Sequence, residues 1–455
     1  MDDDYRRLAD RIADDIVTGR LRPGERLPPQ RAFARRRGIA GSTAGRVYGE
    51  LVRRGLVVGE VGRGTFVRAA PHTPTGRALA EPAVNTQVRA VNLELNYPSA
   101  PGQSELLAPA LAPLLRPDVL TEALRPAPAT GTAEARSAVA GLLATPGWRP
   151  DPDGVLFTGN ARQSIAAALA SLVRPGGRVG VEALTYPLVK EIAARLGITL
   201  VPLAMDQDGL RPDALVAAHR TAPLSALYVQ PTLHNPTSVT MRDERRRELA
   251  GTVRELAVPV VEDRIWSFLA GPETGAAREP LAAHVPELAH VVDGLSKRVA
   301  PGLTVGFLVV PPDRTEAVAT AVRSGGWSAG RFALEAGVRW VEDGTVARLV
   351  AAKRADAARR QRLLAGELAD FGGAVRSDPY AYYAWWELPA SWRADTFTAA
   401  AAAHGIAVTP GNAFAVGPQR APDAVRLGLA SAPEAELARA LRTLAAIARR
   451  GRTAP

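Results

Sequence analysis

Ser42-Thr-Ala-Gly-Arg-Val-Tyr-Gly-Glu-Leu-Val-Arg-Arg54 is followed by Gly55-Leu-Val-Val-Gly-Glu-Val-Gly62-Arg-Gly-Thr-Phe-Val-Arg68. In the first segment Val47 and Leu51 stand one helical turn apart, which predicts a helix over about 42–54. In the second, Val57–Glu60 and Thr65–Arg68 are short strands joined across Gly62-Arg63-Gly64, a hairpin with an arginine at its tip. Upstream, Tyr5, Leu8, Ile12 and Ile16 recur at helical spacing over 4–18, and Gly19 marks a stop. The turn-rich connector Leu21–Pro29 then leads into a second helix, about 29–36, that ends before Gly38. Three helices and a basic-tipped hairpin make a winged helix-turn-helix over residues 1–70.

The charge agrees with that reading. Residues 1–70 hold 15 arginines and 9 acidic residues, so this small unit supplies +6 of the formal +10 of the 455-residue chain. A basic domain on a nearly neutral body suits the phosphate backbone of double-stranded DNA. The third helix of such a unit enters the major groove, which makes Ser42, Thr43 and Arg46 candidates for phosphate and base contacts. Arg31 and Arg35, the latter in the run Arg35-Arg36-Arg37, would neutralise phosphates, and Arg63 would reach the minor groove from the wing. The competing reading is a winged helix used for protein contacts alone.

Composition excludes several other classes. Cysteine is absent, which removes disulfides, thiolate metal sites and cysteine nucleophiles. The six histidines show neither HxxxH nor HExxH spacing, so no metal is expected. No segment is long and apolar enough to cross a bilayer, and Asp2-Asp3-Asp4 is unlike a signal peptide; the expectation is a cytoplasmic protein with no membrane contact.

Residues 71–92 are rich in Ala, Pro, Thr and Arg without periodicity and read as a linker. Over 93–455, apolar strands at 155–158, 179–181, 226–229, 259–262 and 290–293 alternate with helical stretches at 161–173, 187–196 and 243–256. That alternation predicts an α/β domain with a mostly parallel sheet. From about 345 to 455 a long helical stretch opens a smaller α+β subdomain.

Within this domain, chemistry that bonds an aldehyde cofactor needs a lysine, and the chain has three: Lys190, Lys297 and Lys353. Lys190 falls mid-helix after Tyr186-Pro187, and Lys353 falls in an Arg/Ala-rich helix with solvated neighbours. Lys297 follows the strand at 290–293, in Leu295-Ser296-Lys297-Arg298, with a glycine-flanked strand at 305–310 beyond it. Ligands of open α/β sheets bind at strand ends, and the other strand ends carry suitable partners. Asp263 can keep a pyridinium nitrogen protonated, and Asn235, in His234-Asn235-Pro236-Thr237, can donate to a phenolic oxygen. Asn160, Ala161 and Arg162 turn from a strand into a helix, where amides and dipole suit a phosphate. Tyr186 can stack on the ring, and Arg426 can clamp a carboxylate.

Two resemblances organise these residues. Residues 5–67 are similar to the GntR-type winged helix, with Gly19-Arg20-Leu21, Pro23-Gly24, Leu27-Pro28, Thr43, Arg46, Tyr48, Leu51, Gly55-Leu56 and Gly64-Thr65-Phe66-Val67. Residues 93–450 resemble fold-type I aminotransferases, and the fusion resembles the MocR subfamily of bacterial regulators. The resemblance implies pyridoxal 5'-phosphate as cofactor, Lys297 as the lysine that bonds it, Asp263 and Asn235 as ring partners, Ser296 as a further cofactor contact and Arg426 as the clamp. It also implies a homodimer that senses an amino acid, an amine or the cofactor itself.

The sequence departs from the family pattern at several positions. Ala40-Gly41 replaces the usual Ser-Arg before the recognition helix. Thr304 stands where an arginine usually grips the phosphate, and Gly294 where a Ser or Thr does so. Ile265 and Trp266 occupy the usual tyrosine positions, and Ser238 stands in place of a glycine. Arg162 is the candidate to supply the charge missing at Thr304. Losses that spare the lysine and the aspartate suit a sensor with weak or absent transamination. The alternatives are a working aminotransferase with a vestigial winged helix, and a DNA-binding protein whose larger domain only dimerises.

Overall fold

The computed structural model describes residues 3–17, 20–21, 24–54, 56–60, 64–67, 91–270, 279–417 and 421–450. In the N-terminal unit the helices are Asp3–Val17, Gln30–Arg37 and Gly41–Arg53. Gly38 closes the second helix in the left-handed region at φ 61°, a conformation that costs a residue with a Cβ about 1–2 kcal/mol. The strand Gly64–Val67 lies between Arg26–Leu27 and Val57–Glu60, antiparallel to both. Ile12, Leu27, Phe33, Val47, Tyr48, Leu51 and Val67 fill the core, and the Tyr48 phenol donates to the Pro28 carbonyl at 2.5 Å. Arg63 and residues 71–90 of the linker expected from sequence lie outside the described residues.

The larger body is built on a seven-stranded sheet in the order 155–158, 306–309, 289–294, 260–263, 226–229, 178–182, 199–203. The last five of these run parallel, and Gly306–Val309 is antiparallel to both its neighbours. Strands 155–158, 260–263, 226–229 and 289–294 are buried at every position, so none shows alternation, and Glu262, Asp263, His290 and Asp293 are polar groups buried among their apolar residues. The edge strand Thr199–Leu203, only partly buried and interrupted by Pro202, escaped the sequence reading.

A long helix, Thr345–Glu367, leads to a four-stranded sheet in the order 375–377, 383–387, 424–428, 409–410. The helices Ala394–Ala403 and Glu434–Arg450 accompany it. Val91–Asn92, the last two residues of the stretch read as a linker, form a strand paired in parallel with Ile406–Ala407, so they belong to this C-terminal part instead. Among the described residues no helix is long and apolar enough to cross a membrane.

Candidate functional site

In the winged unit, Arg31, Arg35, Arg36, Arg37, Ser42 and Arg46 are exposed and Thr43 is half-buried. The Arg46 guanidinium stands 5.1 Å from the centre of the Tyr5 ring, a contact that presents the charge without neutralising it. Arg53 and Arg54 are occupied differently: both donate to Glu50, which is buried on the inner face of the third helix, and Arg54 also reaches Asp10. Among the described residues, Arg53 and Arg54 are thus tied to carboxylates of their own unit, whereas the side chains of Arg31, Arg35, Arg36, Arg37 and Arg46 are exposed.

In the larger body one cavity of about 120 Å³ gathers Asn160, Ala161, Arg162, Tyr186, Asn235, Asp263, Ser296, Lys297 and Arg426. These residues are far apart in the chain: segments that follow strands of the large sheet bring most of them together, and Arg426 enters from the middle of the strand Ala424–Gly428 in the four-stranded sheet. The short helix Leu295–Arg298 directly follows the strand Ala289–Gly294 and carries Lys297. Behind it, Arg298 and Asp293 form a buried ion pair. Lys297 Nζ donates to the Asn96 carbonyl at 2.7 Å and stands 4.4 Å from the Tyr97 ring and 5.0 Å from the Trp266 ring. Burial, then the charges of Arg426, Arg162 and Lys353, push its pKa down to about 7. A substantial neutral fraction at physiological pH makes this amine a nucleophile.

Asp263 ends the strand Val260–Asp263. Its Oδ2 accepts from the Tyr228 phenol at 2.7 Å and from the Gln230 amide nitrogen at 2.8 Å, and its Oδ1 accepts from Ile265 N at 3.0 Å. Burial outweighs these donors and pushes the carboxyl up to about 6, so it is largely ionised at neutral pH. Gln230 also accepts from Asn235 N at 3.2 Å and thereby fixes two site residues at once.

Arg426 is buried, yet its hydrogen-bond acceptors are neutral: the Glu94 carbonyl, Asn235 Oδ1 and Thr409 Oγ1. Its Nε is buried with no hydrogen-bond partner. Burial lowers it to about 10, which leaves it cationic and able to take a carboxylate. Asn160 caps the helix Ala161–Leu172 by accepting from Gln163 N at 3.1 Å, and the first-turn amides of Ala161 and Arg162 have no acceptor within their helix. Arg162 is exposed and lines the same cavity as Thr304. A Cβ on Gly306 would lie 2.3 Å from the Asn160 carbonyl carbon, so this glycine permits the strand to pass directly under the phosphate-type turn.

Two of the positions that depart from the family pattern have local explanations. Ser238 sits in the left-handed region at φ 60°, which accounts for the glycine usual there; its hydroxyl donates to the Tyr383 carbonyl at 2.9 Å. A Cβ on Gly294 would lie 2.9 Å from the Val305 carbonyl oxygen. Trp266 fills the tyrosine position with a ring that has no hydroxyl.

Lys353 differs from its sequence reading. It is fully buried, not solvated, and donates to the carbonyls of Lys297 at 3.0 Å and Val299 at 2.6 Å. An Arg/Ala-rich helix looks exposed when read alone, but Lys353 lies on the face turned to the cavity loop. Lys190 likewise donates to the carbonyls of Ala413 and Ala415. Glu94, Asn96, Tyr97 and Gln230 also line the cavity and were not singled out in the sequence. Asn96 meets Lys297 across 201 positions, a separation that no local pattern signals.

A model of the family aminotransferase class I and II matches residues 121–444, and a model of bacterial regulatory proteins, gntR family, matches residues 4–67. The HTH-type transcriptional regulator YdeF of Bacillus subtilis (strain 168) is 28% identical over 420 residues, covering 92% of this chain and 88% of that protein. The HTH-type pyridoxine biosynthesis transcriptional regulator PdxR of Corynebacterium glutamicum is 24% identical over 314 residues, covering 69% of this chain and 67% of that protein. Among solved structures, an archaeal alanine:glyoxylate aminotransferase superimposes with a TM-score of 0.73 at 19% identity, over 80% of this chain and 92% of that one. The α-aminoadipate aminotransferase LysN from Thermus thermophilus, complexed with N-(5'-phosphopyridoxyl)-L-leucine, gives 0.70 at 22% identity, over 80% and 93%.

Proposed function

The chain belongs to the aminotransferase class I and II family and carries a GntR-family domain ahead of that body, and on this basis we propose that it is a DNA-binding transcription regulator whose larger body holds pyridoxal 5'-phosphate and senses an amino acid, an amine or the cofactor itself. The observation that carries the reading is the cavity that joins Lys297, Asp263 and Arg426, fused to a unit that presents exposed arginines.

The residues present fit the cofactor. Lys297 offers the amine, Asp263 a carboxylate for the ring nitrogen, Asn235 an amide for the phenolic oxygen and Tyr186 an aromatic face. Ser296, Arg162 and the first-turn amides of Asn160–Arg162 offer donors to the phosphate. Bound there, pyridoxal phosphate supplies an aldehyde that captures primary amines and a ring that withdraws electrons. Arg426, with Nε unpartnered, orients an effector through its carboxylate. Lys297 holds or releases one proton near neutral pH, and Asp263 stays ionised above about 6. The loss of an arginine at Thr304 and of a tyrosine hydroxyl at Trp266 weakens anchoring and tuning, which favours sensing over turnover. The effector's arrival would alter how two copies present their winged units to an operator.

Two measurements test this. Purified protein incubated with the cofactor should gain a visible absorption band, lost in Lys297→Ala, and borohydride should fix the label on Lys297. A mobility shift on the upstream intergenic DNA should require residues 1–70. Labelling of Lys190 or Lys353, or undiminished DNA binding without residues 1–70, would overturn the assignment. Turnover of an amino-acid/keto-acid pair at about 10 per second, an ordinary enzyme rate, would favour the aminotransferase reading instead.

A further inference from the structure

The loop that carries Lys297 is held from behind by a second lysine. The short helix Leu295–Arg298 ends at Val299, whose backbone stands at φ −106° and ψ −92°, and the last carbonyls of so short a helix have no acceptor role within it. Lys353 Nζ donates to two of them, those of Lys297 and Val299, and Gln103 Nε2 adds a donor to Val299 at 3.1 Å. The Lys353 amine is fully buried without a carboxylate among its hydrogen-bond partners, and burial pushes its pKa down to about 7, so it carries a proton only part of the time near neutral pH. An apolar side chain of that size would fill the same volume without the desolvation penalty of a charge. Asp356, one turn along, is engaged by Arg359, Arg360 and Tyr382.

We infer that Lys353 is a positioning residue for Lys297: its Nζ fixes the main chain beneath that amine through two hydrogen bonds and, when protonated, adds a positive charge behind it. This rests on the reading of Lys297 as the lysine that bonds the cofactor. Lys353 stands on the helix Thr345–Glu367, which runs from the large sheet to the C-terminal subdomain. Movement of that helix therefore acts on the reactive amine through two hydrogen bonds rather than through loose packing. The charged and titratable groups facing the Lys297 amine are Arg426 from the C-terminal sheet, Arg162 from the helix Ala161–Leu172, Glu94 and Tyr97 from the first strand region, Asp263 from its strand end, Tyr186, and Lys353 from behind. Lys353 is the member of this set that lies outside the cavity lining, so its removal changes the field on Lys297 without removing a ligand contact.

The test uses cofactor-free full-length protein and formaldehyde with cyanoborohydride, which methylates neutral amines. Peptide mass spectrometry then reports the pH midpoint at Lys297, with the α-amine as internal reference. In Lys353→Met the midpoint should move to higher pH, and amide hydrogen exchange over 295–299 should accelerate while the sheet stays protected. Lys353→Arg, which is charged at every pH and keeps donors for the carbonyls, should not raise the midpoint and should leave exchange over 295–299 close to wild type. A folded Lys353→Met with an unchanged midpoint and unchanged exchange would overturn the proposal, leaving Lys353 as a strut. Failure of both Lys353→Met and Lys353→Gln to fold would equally overturn it, since the ammonium would then be a folding determinant. The reading of Lys297 fails separately, if borohydride fixes the cofactor elsewhere in the wild type.

Discussion

The Tyr228 phenol donates to Oδ2 of Asp263 at 2.7 Å from the adjacent parallel strand, yet burial still leaves the aspartate near 6 rather than at its ordinary 3.8. A raised carboxyl pKa means that the native state holds its proton more tightly than the unfolded chain does. Its contribution to stability is therefore greatest at low pH and is lost as pH rises from about 4 to 6. The cofactor-free protein should thus be destabilised at neutral pH by about 2–3 kcal/mol at this one residue. Asp263→Asn should be more stable than wild type in urea at pH 7.5 and nearly equal to it at pH 4.5, while losing the visible band. A variant less stable at pH 7.5 would contradict this account of the site.

Ser238 offers a cleaner test of backbone strain. Replacement by alanine keeps the left-handed φ and deletes the bond to the Tyr383 carbonyl, so it should cost about 1 kcal/mol. Replacement by glycine deletes the same bond but relieves a strain of about 1–2 kcal/mol, so its net effect should be near zero. Chemical denaturation of the two variants should rank glycine above alanine.

Restoring the two family-type anchors should give opposite results. Thr304 faces the cavity and is half-buried, so Thr304→Arg has room and should tighten cofactor binding about tenfold or more through a charge-assisted pair. Gly294→Ser brings a Cβ to 2.9 Å from the Val305 carbonyl and 3.4 Å from Gly306 Cα, an overpacking that should cost about 1–3 kcal/mol. Cofactor titration by absorbance and thermal melting of both variants check the pair of outcomes.

At the DNA face, Arg46→Ala should weaken operator binding by about 1–3 kcal/mol and relax preference at one base pair if the guanidinium reads a guanine edge. If it meets phosphate alone, the loss should be uniform across sequences and the salt slope should fall by about one. Arg53→Ala should instead act mainly on stability, because Arg53 already pairs with Glu50. Mobility shifts at several salt concentrations separate these outcomes.

Much of the fold was legible because burial on both faces leaves continuous apolar runs, as in the strand Ala226–Val229, and because caps and turns mark the helix starts. Lys297, Asp263 and Asn235 could be picked out as chemistry following strands and Arg426 as a cation within an apolar stretch, and the four do line one cavity. Lys353 was not, since a helix that is rich in Arg and Ala gives no sign of which face meets a distant loop. Trp266 was noted as the loss of a tyrosine, but its place beside the Lys297 amine depends on packing against Tyr382 and Tyr383. Gln230 and Asn96 act through hydrogen bonds to other site residues, and such a role leaves no pattern in a single sequence.

The strand order also dictates when the molecule can complete itself. Val155–Thr158 lies at the sheet's edge, and its one strand partner is Gly306–Val309, with Val155 opposite Val309. On the ribosome the earlier strand must wait for about 150 further residues, roughly ten seconds or more at ordinary elongation rates. The winged unit closes entirely within residues 3–67 and faces no such delay. The nascent chain will therefore hold a finished DNA-binding head while its sheet still exposes an unpaired apolar edge, the interval in which chaperone capture and aggregation compete with folding.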